Sequence, residues 1–223
     1  MPIRAACLLS LLALAGPCLA DECDDLPKPS VKIKRLDEKV SYNYGYSYKA
    51  LNNLGATLAR PGQQVLGLTR GNATASFISK TPSYVDRSGR WECVSPQITL
   101  TFGFTPVTIY VAREFPQGTC AYKEILDHEM RHLKTYQEHM AGIEKSLAET
   151  LTARFATDKP WRGPAGQAAA QLQKELDERW LPYVQREIAK VETAQALIDT
   201  VEEYDRVSNA CDGQIAKQLQ RRK

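Results

Sequence analysis

Ile125-Leu126-Asp127-His128-Glu129-Met130-Arg131-His132-Leu133 is the stretch on which the reading of this chain turns. It contains His-Glu-x-x-His and uses two of the three histidines in the sequence. Residues three and four apart on an α-helix share a face, so His128 and His132 can direct two imidazole nitrogens at one metal ion, with Glu129 beside it. The pattern suits zinc. Two neutral histidines and one further ligand leave an open position, where bound water falls to a pKa of roughly 7. A neighbouring carboxylate accepts its proton, and the hydroxide attacks a carbonyl polarised by the same ion. The protonated glutamate then protonates the leaving amine. His128 and His132 are therefore candidate zinc ligands, and Glu129 is the candidate general base of peptide hydrolysis.

The surroundings place the motif on a helix. Tyr122 to Phe155 contains no proline and one glycine, Gly142, and Ile125, Leu133, Tyr136, Ile143, Leu147 and Leu151 recur at helical intervals. After a turn at Asp158 to Gly166, Ala168 to Val207 runs almost without breakers, with a kink expected at Pro182. Its apolar stripe includes Leu172, Leu176, Trp180, Ile188 and Val191. Two long amphipathic helices joined by a short turn pack antiparallel, and counting outward from the turn brings Glu187 to Ala194 beside the histidine pair. The third zinc ligand stays open on this reading. Glu187 is one candidate, with Glu192 and Glu138 behind it. His139 is another, although on an unbroken helix its Cα lies roughly 10 Å beyond that of His132. Tyr136, one turn past His132, could bring a hydroxyl to the site.

Toward the N-terminus the pattern changes to strands. Val31 to Lys34 and Val40 to Tyr44 alternate in character. Asn72 to Lys80, Trp91 to Phe104 and Val107 to Val111 are rich in Thr, Ile, Val and aromatics. Lys49 to Ala59 reads as a short helix ended by Arg60-Pro61-Gly62. Strands first and helices afterwards predict an α+β fold. Its expected parts are a small, mainly antiparallel sheet over about 31–112 and a helical part over about 120–215, in which the motif helix packs on a long C-terminal helix. Residues 21–223 form one domain of a size that buries a substantial core.

Residues 1–20 carry Arg4, an apolar run from Ala5 to Ala15, Gly16-Pro17 and small residues at Cys18 and Ala20, the pattern of a cleaved bacterial export signal. The mature chain is then expected in the periplasm or outside the cell, with no integral membrane segment. Of six cysteines, Cys7 and Cys18 leave with the signal, and Cys23, Cys93, Cys120 and Cys211 remain. An even count in an oxidising compartment predicts two disulfides, preferably Cys93 with Cys120 and Cys23 with Cys211. Lys+Arg number 29 against Asp+Glu 26, so nucleic acid is not implied as a partner. Lys217 and Arg221-Arg222-Lys223 form a basic end.

His128-Glu129-x-x-His132 resembles the zincin metallopeptidases. That resemblance implies zinc on the two histidines, Glu129 as base, a zincin-like fold, and a protein or peptide substrate. More widely, the chain is similar to a family of bacterial exported proteins described as predicted secreted zinc-dependent proteases. The likeness spans about Val40 to Leu151 and supplies no third ligand. Two rival classes are a non-catalytic envelope protein with an architectural or vestigial zinc site, and a carboxylate di-iron protein. The second would need another Glu-x-x-His, for which no histidine is left.

Overall fold

The computed structural model describes residues 22–37, 39–55 and 63–220. The expected export segment, the Arg60-Pro61-Gly62 stop and the basic end Arg221-Arg222-Lys223 lie outside the described residues. Within them the chain is a mixed α+β structure, as expected, built on one 15-residue strand.

That strand, β6 (Gln97–Val111), carries inward residues at alternate positions: Ile98, Leu100, Phe102 and Phe104, then Val107, Ile109 and Val111. Period-two alternation puts one side-chain face on the core. β1 (Ser30–Leu36) runs parallel to the first half of β6, from Ser30↔Gln97 to Leu36↔Gly103. β2 (Ser41–Asn43) runs parallel to the second half. β3 (Gly67–Lys80) is antiparallel to β6 along almost its whole length, with a register shift between Gly71 and Ala73. The sheet is thus mixed: its longest pairing, β3 with β6, is antiparallel as expected, and β1 and β2 add two shorter parallel pairings that the sequence did not indicate. One long strand accommodates two short ones along its length, and α1 (Tyr48–Leu54) intervenes before the chain returns as β3. A second, three-stranded sheet joins β4 (Ser83–Val85), β5 (Trp91–Val94) and β7 (Trp161–Pro164). β7 lies where the sequence suggested only a turn.

The motif helix α2 runs from Cys120 to Phe155. Thr119 caps it, its hydroxyl accepting the Tyr122 amide at 3.2 Å. Leu133, Met140, Leu147, Leu151 and Phe155 from α2 meet the β6 face and Leu172, Leu176, Val184 and Ile188 from the C-terminal helices. Each fully buried leucine or phenylalanine contributes roughly 1.5–3 kcal/mol of transfer free energy. No helix among the described residues is long and apolar enough to cross a membrane.

The C-terminal half departs from a single kinked helix. α3 (Ala168–Glu175) passes through a π turn at Leu176–Trp180 into α4 (Leu181–Ala189), followed by α5 (Val191–Ala196) and α6 (Val201–Gln220). The π turn sits directly before Pro182, whose missing N–H disrupts the ordinary helical ladder, so the helix widens instead of ending. α6 is itself interrupted at Ala210–Gly213, where Cys211 and Asp212 adopt positive φ. Arg154 meets Glu175, His139 meets Glu187, His132 meets Gln195, and Glu124 meets Arg206. The descending partners show the expected antiparallel packing.

All four described cysteines are in disulfides, but the pairing is Cys23–Cys93 and Cys120–Cys211. The expected pairs, Cys93–Cys120 and Cys23–Cys211, are corrected by topology. The N-terminal segment lies against β5, and α6 lies against the start of α2.

Buried Glu92 on β5 fastens the helical layer to the small sheet. Its carboxylate accepts the amides of Gln167 (3.0 Å) and Ala168 (2.8 Å) at the start of α3, which has no cap from its own side chains. The Ala168 amide lowers its pKa first; burial opposes, and the Gly166 and Gln167 amides reinforce the lowering. A depressed folded-state pKa contributes stability above the ordinary glutamate range and loses it as pH falls through the folded value. Glu92→Ala should lower the thermal midpoint at pH 7 by roughly 2–4 °C, equivalent to about 1 kcal/mol. Calorimetry at pH 7 and pH 3 should show the difference from wild type shrinking at the lower pH.

Candidate metal centre

On α2, the buried stripe that includes Ile125 and Leu133 also contains Glu129 and His132. Polar side chains in an apolar stripe need specific partners, and each one here has them. His128 and His132, one helical turn apart, bring their Nε2 atoms within 3.1 Å. Asp199 Oδ1 lies 3.2 Å from each of them. These are the described histidine, cysteine and carboxylate side chains that converge closely enough to hold an ion.

Donor chemistry and spacing both fit zinc. Tetrahedral zinc with bonds of about 2.0–2.1 Å needs donor-to-donor edges of about 3.3 Å, close to the triangle observed. Three protein donors fill one face of such a tetrahedron and leave the fourth position to another ligand. Asp199 would then be the third protein ligand. It comes from the joint Leu197–Thr200 between α5 and α6. Thr200 ends this joint by capping α6, its Oγ1 accepting the Glu203 amide at 3.1 Å.

Neither expected third ligand is in place. Glu187 is ion-paired to Lys190 at 2.7 Å, and His139 Nε2 lies 2.8 Å from the backbone oxygen of Glu187. They pair with each other one level down the helices. The π turn at Leu176–Trp180 and the joint at Lys190 add residues to the returning arm before it draws level with His132, so Gln195 stands there and not Glu187. A sequence signal for Asp199 did exist. Thr200-Val201-Glu202-Glu203 has the Ser/Thr-x-x-Glu form that marks a helix start, so Asp199 could have been placed in a break and freed to turn toward α2.

Glu129 is only 3 % exposed, and its Oε2 accepts the Thr69 hydroxyl at 2.9 Å. Burial raises its pKa, opposed by the His128 and His132 charges and the Thr69 bond. Strand β3 crosses directly over this carboxylate. A Cβ on Gly67 would stand 2.6 Å from Glu129 Oε1 and 2.8 Å from Ile125 Cγ2, so only glycine lets the strand approach this closely. The far edge of β3 pairs with no strand among the described residues.

Second contacts orient both rings. His132 Nδ1 lies 2.6 Å from Gln195 Oε1, while Gln195 Nε2 donates to the His132 carbonyl at 3.0 Å. His128 Nδ1 lies 3.2 Å from Glu203 Oε1. Burial would raise the Asp199 pKa, but hydrogen bonds from His128 and His132, with their charges, hold it well below the usual carboxylate range. Burial works to lower the His132 pKa and is outweighed by the Asp199 bond and the Glu129 and Asp199 charges.

The cluster lines a cavity of about 690 Å³ that also includes Gly67, Thr69, Tyr136 and Tyr204. The Tyr136 ring packs on Phe104, centroids 4.3 Å apart. Burial raises its pKa, reinforced by the charges of Glu192 and Glu129. In comparisons with known proteins, no family model, curated protein or solved structure matches this chain.

Equilibrium dialysis against zinc separates the candidate ligands. Asp199→Ala should weaken binding by at least about a hundredfold, while Glu187→Ala and His139→Ala stay within about threefold of wild type. Loss in either of those two with Asp199→Ala unaffected would overturn the ligand set.

Proposed function

We propose that this protein is an exported, zinc-dependent peptidase of the His-Glu-x-x-His type. The observation that carries the reading is the three-donor face of His128, His132 and Asp199, with the non-ligating Glu129 beside it in a cavity. A purely structural zinc is ordinarily closed by four protein ligands and needs no base next to it. The two disulfides fit an oxidising compartment, in keeping with the export-like pattern of residues 1–20.

Zinc, when bound, supplies a Lewis acid that lowers the pKa of a coordinated water to roughly 7 and polarises the scissile carbonyl. Glu129 would accept the proton of the attacking water as that oxygen bonds to the carbonyl carbon. Its burial strengthens it as a base relative to a solvated glutamate. Glu129 then delivers that proton to the amide nitrogen as the carbon–nitrogen bond breaks, leaving a carboxylic acid and an amine. Thr69 holds the carboxylate through one oxygen and leaves the other to exchange the proton. Gln195, held at both ends of its amide, would leave the His132 Nε2 lone pair free for the ion.

Glu129→Gln preserves shape and removes the base. This variant should keep its zinc and its thermal midpoint, while hydrolysis of an unfolded protein or a quenched peptide falls by at least roughly a hundredfold. Equal cleavage by the two proteins would contradict the mechanism. Zinc bound by both, with no cleavage across a broad peptide library, would favour the non-catalytic envelope protein.

A further inference from the structure

We propose that Glu203 is the positioning residue that makes His128 a metal ligand, by fixing which ring nitrogen carries the proton against a competing contact from Arg131. The inference rests on the zinc reading above and assigns a residue outside the three-donor face.

A neutral imidazole carries one N–H, and ligation through Nε2 requires the proton on Nδ1. His128 Nδ1 meets two groups with opposite demands. Glu203 Oε1, at 3.2 Å, can only accept a proton while ionised. Arg131 Nη2, at 3.0 Å, can only donate one. Both tautomers therefore find partners. With the proton on Nδ1, His128 donates to Glu203 and keeps Nε2 free. With the proton on Nε2, it donates to Asp199 Oδ1 at 3.2 Å and accepts from Arg131, and the metal-binding lone pair is gone.

Glu203 tips this balance twice, because it accepts from Nδ1 and also engages the Arg131 guanidinium directly. Its position is set by Arg206, which donates to Oε2 from Nε and to Oε1 from Nη2, each at 2.9 Å. Arg206 in turn donates to Glu124 at 2.8 Å, back on α2. The Glu203 side chain is 12 % exposed, against 44 % for Arg131, so the carboxylate is the more enclosed of the two.

His132 is under no such competition. The His132 carbonyl can only accept, so it must face the nitrogen of the Gln195 amide, and Gln195 Oε1 is left to take Nδ1–H. One ring is fixed by a neutral amide held at both ends, and the other depends on a charge. Removing Glu203 leaves a guanidinium alone beside His128 Nδ1, which favours the wrong tautomer and repels a divalent cation. Removing Arg131 as well takes away the competitor.

The test is a double-mutant cycle read by zinc affinity, measured by competition with a chromophoric chelator, alongside nitrogen-15 imidazole spectra of the metal-free protein at pH 8. Outer contacts to ligating histidines typically change metal affinity by 10–100-fold. Glu203→Ala should weaken zinc by roughly 30-fold or more, Arg131→Ala should stay within about threefold, and the double variant should recover at least about fivefold over Glu203→Ala. The wild-type spectrum should show His128 protonated at Nδ1, with the proton that lies among the two Nε2 atoms and Asp199 carried by His132, and the Glu203→Ala spectrum a shift of the His128 proton toward Nε2. A Glu203→Ala affinity within threefold of wild type, or a double variant no tighter than Glu203→Ala, overturns the proposal. The wild-type spectrum needs no variant to fold, and His128 protonated at Nε2 there would also overturn it. Wild-type protein that binds no zinc would instead remove the metal reading, while the spectra still decide the tautomer.

Discussion

Two imidazole Nε2 atoms 3.1 Å apart, each 3.2 Å from one carboxylate oxygen, are three electron-rich atoms that repel unless a proton or a metal ion lies among them. Much of the fold serves to hold them there. Two come from one face of α2, whose 36 residues are anchored by the long β6 strand. The third comes from a joint in the antiparallel helical arm. A sheet strand passes close overhead only because Gly67 has no side chain to strike Glu129. The same closeness buries that glutamate and raises its pKa, so the packing that encloses the site also tunes this carboxylate.

The Cys120–Cys211 bond joins the first residue of α2 to α6, the helix that Thr200 caps just after Asp199. Its sequence separation is 91 residues, and closing a loop of that size stabilises a folded chain by on the order of 4 kcal/mol in the chain-entropy view. The Glu124–Arg206–Glu203 chain of ion pairs connects the same two elements. Exposed pairs of this kind contribute little to stability alone. Their effect here is to set where Glu203 stands, and Glu203 faces Nδ1 of the His128 ring.

What the sequence revealed follows from how local each feature is. The motif helix, its apolar stripe, the α+β class and the oxidation of the four described cysteines depend on short-range spacing or composition, and each appears in the structure. The place of Asp199 beside the histidine pair, the disulfide pairing and the two parallel strand pairings depend on which distant segments meet. Counting the returning arm as one continuous helix points to Glu187, whereas Glu187 stands beside His139, nearly two turns from His132, and the break at Leu197–Thr200 lets Asp199 turn toward the pair. Thr200-x-x-Glu203 marked that break. Its weight was hidden because Leu197, Val201 and Tyr204 fit a continuous apolar stripe. Gly67 carried no signal of its own, since the need for glycine arises from a helix 60 residues away in the chain.

The most direct measurement is a crystal structure of the zinc-soaked protein with anomalous data collected across the zinc edge. The account predicts one strong peak about 2.0–2.2 Å from His128 Nε2, His132 Nε2 and an Asp199 carboxylate oxygen, with a non-protein ligand on the cavity side and Glu129 outside bonding distance. A zinc ion closed by a fourth protein side chain, or held with Asp199 turned away, would contradict it.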